Sequence, residues 1–455
     1  MITEQLEKKY LEKTSVSARL AQQARQYMPG GDTHGHFYNP PYYTTIERGN
    51  GCYLYDVDGN RYIDCVNGYY VLAHGHCFPP TVAAIAEQIK SGTTFGMPTR
   101  AQIDLARHLC ERVPSLDELR FATSGSEATT MCIRAARAFT GKRKIMRVDG
   151  GYHGNHNIGE LNSFVIGERD EQSHMPPVGT ASSDLDDVIL FPWNHPDALE
   201  QIISRHADET AAVIMEPMML YGGWLLPNTG YLERVRRLTE ENNILLVFDE
   251  VVTLLFSYGG LQEYFGVTPD LTAMGKAIGG GLPIGAWGGR RDIVELWNPE
   301  RGEDAVMSIA TFGGNPLSMV AGLTALHHLT EAAIERRNKL SDRLREEVDQ
   351  AIADARIRAH MSGLFNTFGI QWTDKTVRDP YEAAEAMSRV TDKVRSLFFM
   401  GMRYRGVYFF PAPTPFGNIS TAVGDKEIDH IVNAVGETLS ELYPVIEAEC
   451  PAVLQ

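Results

Sequence analysis

The sequence predicts an α/β fold: a large domain on a mainly parallel sheet, followed by a smaller α/β domain. Two observations carry this. Short apolar runs alternate with helical patterns from about residue 118 onward, the signature of strands buried on both faces of a sheet. After residue 326 the pattern changes to long charged helices and a few strands, and 455 residues exceed what one core organises.

In chain order, residues 3–28 read as an amphipathic helix stopped by Pro29-Gly30-Gly31. The run GCYLYDVDGNRYIDCV has two alternating segments around Asp58-Gly59, a hairpin signal. Residues 80–112 read as helix in two pieces. ELRFAT, KIMRVDG, AAVIMEP and ILLVFDEVV read as strands, with helices over Ser126–Thr140 and GYLERVRRLTEENN between them. Residues 155–188 are polar and irregular, the pattern of a lid or binding loop. LTEAAIERRNKLSDRLREEVDQAIADA is a long charged helix. RIRAHMSGLFNTFGIQWT and GVYFFPAP read as strands, and DKEIDHIVNAVGETLSELY as the closing helix. The expected division is residues 1–75, a helix and hairpin packing with the small domain; 76–325, the large domain; and 326–455, the small domain.

A net charge of -16 argues against nucleic acid or an anionic membrane as a partner, since both require a basic face. The N-terminus has no apolar core of a signal peptide, and no run approaches a membrane span. None of the six cysteines forms a CxxC pair, which points to reduced thiols and a cytoplasmic setting. The histidine pairs His34/His36, His74/His76 and His153/His156 lack a metal-ligand pattern, so no metal is expected.

Four local patterns bear on chemistry. In LTAMGKAIGGG, Lys276 has no polar neighbours. It is either a snorkelling surface lysine or an amine kept neutral by apolar surroundings, and a neutral amine is a nucleophile able to form a Schiff base. Asp249 ends an apolar strand, where it either caps the following turn or serves as a buried anion suited to a pyridinium nitrogen. Gly125 and Ser126 open a helix directly after a strand, a place for an anion; the plain alternative is Ser126 as N-cap with Glu127 in the first turn. Tyr152 follows two glycines after a strand, as a rim aromatic or a ring stacked on a planar ligand. Together these supply an imine-forming lysine, a pyridinium partner, a phosphate cradle and a stacking ring, the parts list for pyridoxal phosphate.

The motifs LYDVDGNRYID, SGSEAT, GYHG, FDEV, YFGVTPDLTAMGKAIGGGLPIGAWGGR and TFGGNPL follow in family order. The chain resembles the class-III, fold-type-I aminotransferases, in the branch of the glutamate-1-semialdehyde aminomutases. The resemblance implies a seven-stranded-type sheet and pyridoxal 5'-phosphate bound through Lys276. It implies Asp249 on the pyridine nitrogen, Gly125 and Ser126 on the phosphate, and Tyr152 and Val251 on the two ring faces. It also implies a homodimer with shared active sites, Thr311 reaching the neighbouring subunit's phosphate. Departures concern the substrate. Phe37 stands where the aminomutases carry a carboxylate-binding arginine, and Tyr221 where relatives have Glu or Asn. Tyr69 fills an aromatic slot of the substrate pocket. Arg100, Arg403 or Arg405 are candidate replacements for the arginine, though each also reads as a surface residue. The expected activity is ping-pong transfer of an amino group between an amine or amino acid, bulky or hydrophobic, and a keto acid or aldehyde. The alternatives are an aminomutase or epimerase on the same cofactor, a nicotinamide enzyme suggested by GGGLPIG, and a cofactor-binding protein without turnover.

Overall fold

The structure, a computed structural model, describes residues 2–34, 38–163, 178–412 and 414–455. It divides into two compact units: Met1–Phe78 with Glu335–Val377 and Glu382–Gln455, and Pro79–Ile334 with Arg378–Tyr381.

The first unit begins with two helices, Ile2–Lys13 and Ser15–Ala24, rather than the single helix the periodicity suggests. The break has a local cause. Thr14 turns its hydroxyl to the Tyr10 carbonyl at 2.7 Å, and the Asp58 carboxylate accepts the N–H groups of Val16 and Ser17 at 2.6 and 2.9 Å. A hairpin residue thus caps the second helix and ends the first. The hairpin joins β2 (Tyr53–Asp56) to β3 (Arg61–Asp64), with β1 (Ile46–Asn50) outside β2.

The second unit is built on one sheet: β4 (Glu118–Ala122), β5 (Lys144–Val148), β6 (Val188–Phe191), β7 (Thr210–Met215), β8 (Leu245–Asp249), β9 (Leu271–Gly275) and β10 (Gly285–Gly289). Their order is β4-β10-β9-β8-β7-β5-β6. Every pairing among β5 to β9 is parallel, whereas β10 runs antiparallel to both β4 and β9. Strands β7, β8 and β9 are buried at every position, as expected for a sheet covered on both faces. The helix Gly125–Thr140 packs across β7 to β10, and its buried Ala128, Cys132, Ile133, Ala135 and Ala136 join the core around Ile214, Val247 and Trp287. Its N-cap is Ser124, whose Oγ accepts the Glu127 N–H at 3.2 Å, so Ser126 lies inside the first turn and is not the cap.

The remaining strands, β11 (His360–Ser362), β12 (Thr367–Gln371), β13 (Val407–Tyr408) and β14 (Phe416–Asn418), belong to the first unit. There β13 extends the hairpin sheet beside β3, and β11-β12-β14 form a second small sheet. Helices Asp392–Tyr404 and Asp425–Glu449 pack against each other and on Ile2–Lys13. Among the described residues no helix is long and apolar enough to cross a membrane, and no group of three metal-ligating side chains gathers.

The triple glycine after Lys276 has a backbone reason at Gly280. Its φ is 59°, and a Cβ there would sit on the Ala321 carbonyl oxygen. Gly280→Ala is therefore expected to cost at least about 2 kcal/mol of unfolding free energy. Gly266→Ala, at a φ of 66° with open space around it, should cost only the smaller backbone term. Chemical denaturation of both variants checks the order; equal losses would contradict it.

Candidate active site

The C-terminal ends of the parallel strands carry the chemistry. Asp249 is the last residue of β8, Glu216 follows the last residue of β7, and Lys276 follows the last residue of β9. Met215 pairs with Phe248 and Asp249 with Ala273, so three adjacent strands release their ionisable groups at one edge. Open α/β sheets hold ligands at this edge.

Lys276 opens a one-turn 3-10 helix with a φ of 51°, a left-handed conformation that a side chain adopts at a cost of about 1–2 kcal/mol. Burial of its amine pushes the pKa down to about 8, while the nearby Asp249 and Glu216 charges pull it back up. About half of the amine is therefore neutral at mildly alkaline pH, and a minor fraction at neutral pH.

Asp249 is 6% exposed. Its Oδ1 accepts the Val251 N–H at 3.1 Å, and its Oδ2 faces His153 Nδ1 at 2.9 Å. Burial pushes the His153 pKa down despite the carboxylate, so the ring is neutral and donates Nδ1–H to Asp249. His153 is itself fixed: Thr129 donates to its carbonyl at 2.6 Å, and its N–H reaches Gly159 O at 2.9 Å. Asp249 is thus a buried carboxyl group held in a fixed orientation.

Gly125 starts its helix with first-turn N–H groups that have no helical acceptor. A Cβ on Gly125 would meet Val251 Cγ1 at 2.8 Å, so only glycine lets Val251 approach that turn. Ser126 Oγ accepts the Asn155 N–H at 3.0 Å, tying the turn to the loop that carries Tyr152. Tyr152 lies 5.0 Å, ring centroid to centroid, from Tyr221 at a 54° tilt. Lys276, Asp249, Gly125, Ser126, Tyr152, Val251 and Tyr221 therefore all belong to this unit.

Thr311 belongs to the same unit and is exposed, in a stretch with exposed Met307, Ile309 and Phe312. Tyr69 belongs to the other unit. There it sits on a left-handed turn, Asn67–Tyr70, stacked on His34 at 5.1 Å and edge-on to Phe410 at 5.1 Å. Phe37 lies outside the described residues, as does 164–177, the middle of the segment read as a lid or loop.

Two site residues escape the sequence reading. Glu216 is 6% exposed; its Oε2 accepts the Leu220 N–H at 3.2 Å, and its Oε1 lacks a close hydrogen-bond partner among the described residues. Burial and the Asp249 charge push its pKa up to about 8, against the pull of main-chain N–H groups and Lys276. The signal was present: like Asp249, it is an acid ending a wholly apolar strand. Arg147, on β5, is fully buried and donates to the carbonyls of Ile158 and Gly151. Burial pushes its pKa down to about 10.

The geometry gathers an amine of lowered pKa, an oriented carboxylate, a helix start whose first N–H groups lack helical acceptors, and an aromatic ring. The family model described as aminotransferase class III matches residues 37–412. The chain belongs to the class-III aminotransferases. A protein of Methanocaldococcus jannaschii named glutamate-1-semialdehyde 2,1-aminomutase is 36% identical over 440 residues, 96% of this chain and 99% of that one. The crystal structure of an omega-transaminase from Sphaerobacter thermophilus superimposes with a TM-score of 0.88 at 36% identity, over 94% of this chain and 98% of that one. That of a β-phenylalanine aminotransferase from Variovorax paradoxus gives a TM-score of 0.85 at 30% identity, over 98% and 99%. The expected branch and the fold-type-I architecture are both found. As a class-III aminotransferase the enzyme uses pyridoxal phosphate and acts on small molecules. The donor set suits that cofactor: the amine, the buried anion, the open helix start and the ring are each of the chemistry it requires.

Proposed function

We propose that this aminotransferase moves an amino group from a bulky, hydrophobic amine or amino acid to a keto acid or aldehyde, by a ping-pong mechanism. The observation that carries the reading is the Tyr152–Tyr221 ring pair, which supplies an aromatic wall beside the chemistry at the strand ends. The names of the omega-transaminase and the β-phenylalanine aminotransferase point the same way.

Pyridoxal phosphate supplies, when bound, an electron sink conjugated to the substrate carbon. The chain's residues do the rest. Gly125 and Ser126 donate first-turn N–H groups to the phosphate, helped by the positive helix end. Tyr152 and Val251 would hold the cofactor ring between them. Asp249, held by His153 and the Val251 N–H, keeps a proton on the pyridine nitrogen. Lys276 Nζ would anchor the cofactor and, once released, would take the proton from the substrate carbon and give it back as the acid. Tyr221 lines the substrate space.

The enzyme is further proposed to be a cytoplasmic homodimer, with Thr311 contacting the neighbouring subunit's phosphate. Its support is apolar surface: exposed Phe312, Phe95 and Met97 lie on neighbouring segments, which the Asn315 amide ties together by donating to Thr93 O at 3.0 Å.

A second reading, an aminomutase acting on one molecule without a separate acceptor, is favoured by the name of the Methanocaldococcus relative. A panel of aryl and alkyl amines and amino acids, each with pyruvate as acceptor, separates the two. Alanine formed at the expense of a hydrophobic donor supports the proposal. A small dianionic substrate preferred over every hydrophobic donor, or an isomer formed without acceptor, overturns it.

Glu216 gives a pH prediction. Its carboxyl ionises near pH 8, where its new charge would hold the proton on Lys276. Glu216→Gln removes that charge, so the Lys276 titration should move below about 8. The pH dependence of Lys276 modification by an amine-directed reagent, in cofactor-stripped protein, checks this. An upward shift would contradict the sign.

A further inference from the structure

In the first unit, a cleft open to solvent is walled by Tyr43, Tyr62, Phe399, Tyr408 and Phe409, with the Arg403 guanidinium in its lining. Arg403 is only 8% exposed. It occupies the last turn of the helix Asp392–Tyr404, where the helix C-terminus favours a cation. Its Nε donates to Phe399 O at 3.4 Å, its Nη1 to Thr44 Oγ1 at 3.3 Å, and the Tyr10 ring lies 4.9 Å from its centre. These contacts leave Nη2 buried with no acceptor among the described residues.

No described carboxylate lies within ion-pair distance of it. Arg405, two residues on, is a contrast: it is held by Glu437 at 3.0 Å and Glu441 at 2.7 Å. The acid bound to the Tyr62 hydroxyl, Asp56, is taken up by its own turn, accepting from Tyr62 at 2.6 Å and from the N–H groups of Asp58 and Asn60. A guanidinium buried without an anion is costly, because its desolvation is uncompensated. Here the missing partner coincides with a cavity.

We propose that this cleft is a binding site for an aromatic monocarboxylate, its carboxylate on Arg403 and its ring among the tyrosines and phenylalanines. The planar fork of a guanidinium suits a carboxylate. One cation, with no second basic group among the described residues of the lining, suits a single negative charge rather than a phosphate dianion. The five aromatic walls suit a flat apolar body. The ligand chemistry has two sources: the carboxylate of a substrate or product of the transamination, or a separate regulatory acid.

The test is calorimetric titration of the holoenzyme with benzoate, with benzyl alcohol and inorganic phosphate as controls. Benzoate should bind once per chain, and neither control should bind in the same range. Arg403→Gln should weaken benzoate at least about tenfold, the worth of a charge-assisted contact. Ile46, on the rim and 41% exposed, gives an independent variant: Ile46→Trp fills the mouth without touching the guanidinium and should weaken binding as well. It decides the matter if Arg403→Gln fails to fold. Inhibition kinetics then separate the sources. Competition with the amino donor assigns the site to substrate, and noncompetitive inhibition assigns it to a regulator. No benzoate heat up to about 10 mM, or binding that neither variant weakens, overturns the proposal. Because titration needs no amino donor, it fails or succeeds independently of the transaminase reading.

Discussion

Lys276→Ala is expected to lower turnover by at least about a thousandfold while leaving the fold intact. The loss is large because the lysine has two jobs, anchoring the cofactor and moving the proton, and among the described residues no other lysine lies at these strand ends. Its surroundings are prepared for both. The β9 strand delivers it at the active edge, and burial brings the amine down to about 8. Alanine keeps the Cβ and with it the left-handed strain, while the desolvation cost of the buried amine is removed, so stability should hold. Turnover and thermal unfolding of the same preparation check this. The cofactor should also be lost on dialysis faster than from the parent. Turnover retained within about tenfold would mean that the proton is moved by another group.

Asp249→Asn has the second largest expected effect, a fall of about two to three powers of ten in kcat. The asparagine Oδ1 still accepts the Val251 N–H, and its Nδ2–H pairs with His153 Nδ1 once the neutral imidazole carries its proton on Nε2, so both contacts survive with one reversed in direction. What disappears is the buried negative charge, whose loss from a buried pair is worth about 3–5 kcal/mol. The fall should therefore appear in kcat with little change in melting temperature. Asp249→Ala should lose both, since the buried His153 N–H is then left unpaired. Turnover of Asp249→Asn close to that of the parent would remove the pyridine-nitrogen role from the account.

Much of the site was legible because strand ends leave sequence marks. An acid or a lysine ending an apolar run is conspicuous, and both Asp249 and Lys276 could be read so. Glu216 carries the same mark in AAVIME, yet Pro217 after it reads only as the end of a strand. Arg147 was invisible, because an arginine in a strand looks like an outward residue until its neighbours are known. Strands β9 and β10 were not distinguished, since LTAMG and GAWGG hold small residues and glycines instead of the branched side chains that announce a strand. The break at Thr14 depends on Asp58, more than forty residues away, and no local pattern encodes it. Arg403 and Arg405 are two positions apart on one helix end. Only packing reveals that one is paired twice and the other is buried without an acid.

The central claim is that one half of the reaction is complete without an acceptor. The most direct measurement is a single half-turnover: holoenzyme mixed with a hydrophobic amino donor alone, with carbonyl product and cofactor absorption quantified together. The account predicts about one carbonyl product per site, with loss of the lysine-bound cofactor's visible absorption and its return on adding a keto acid. An isomer of the donor, formed over many turnovers with the absorption unchanged, would contradict it.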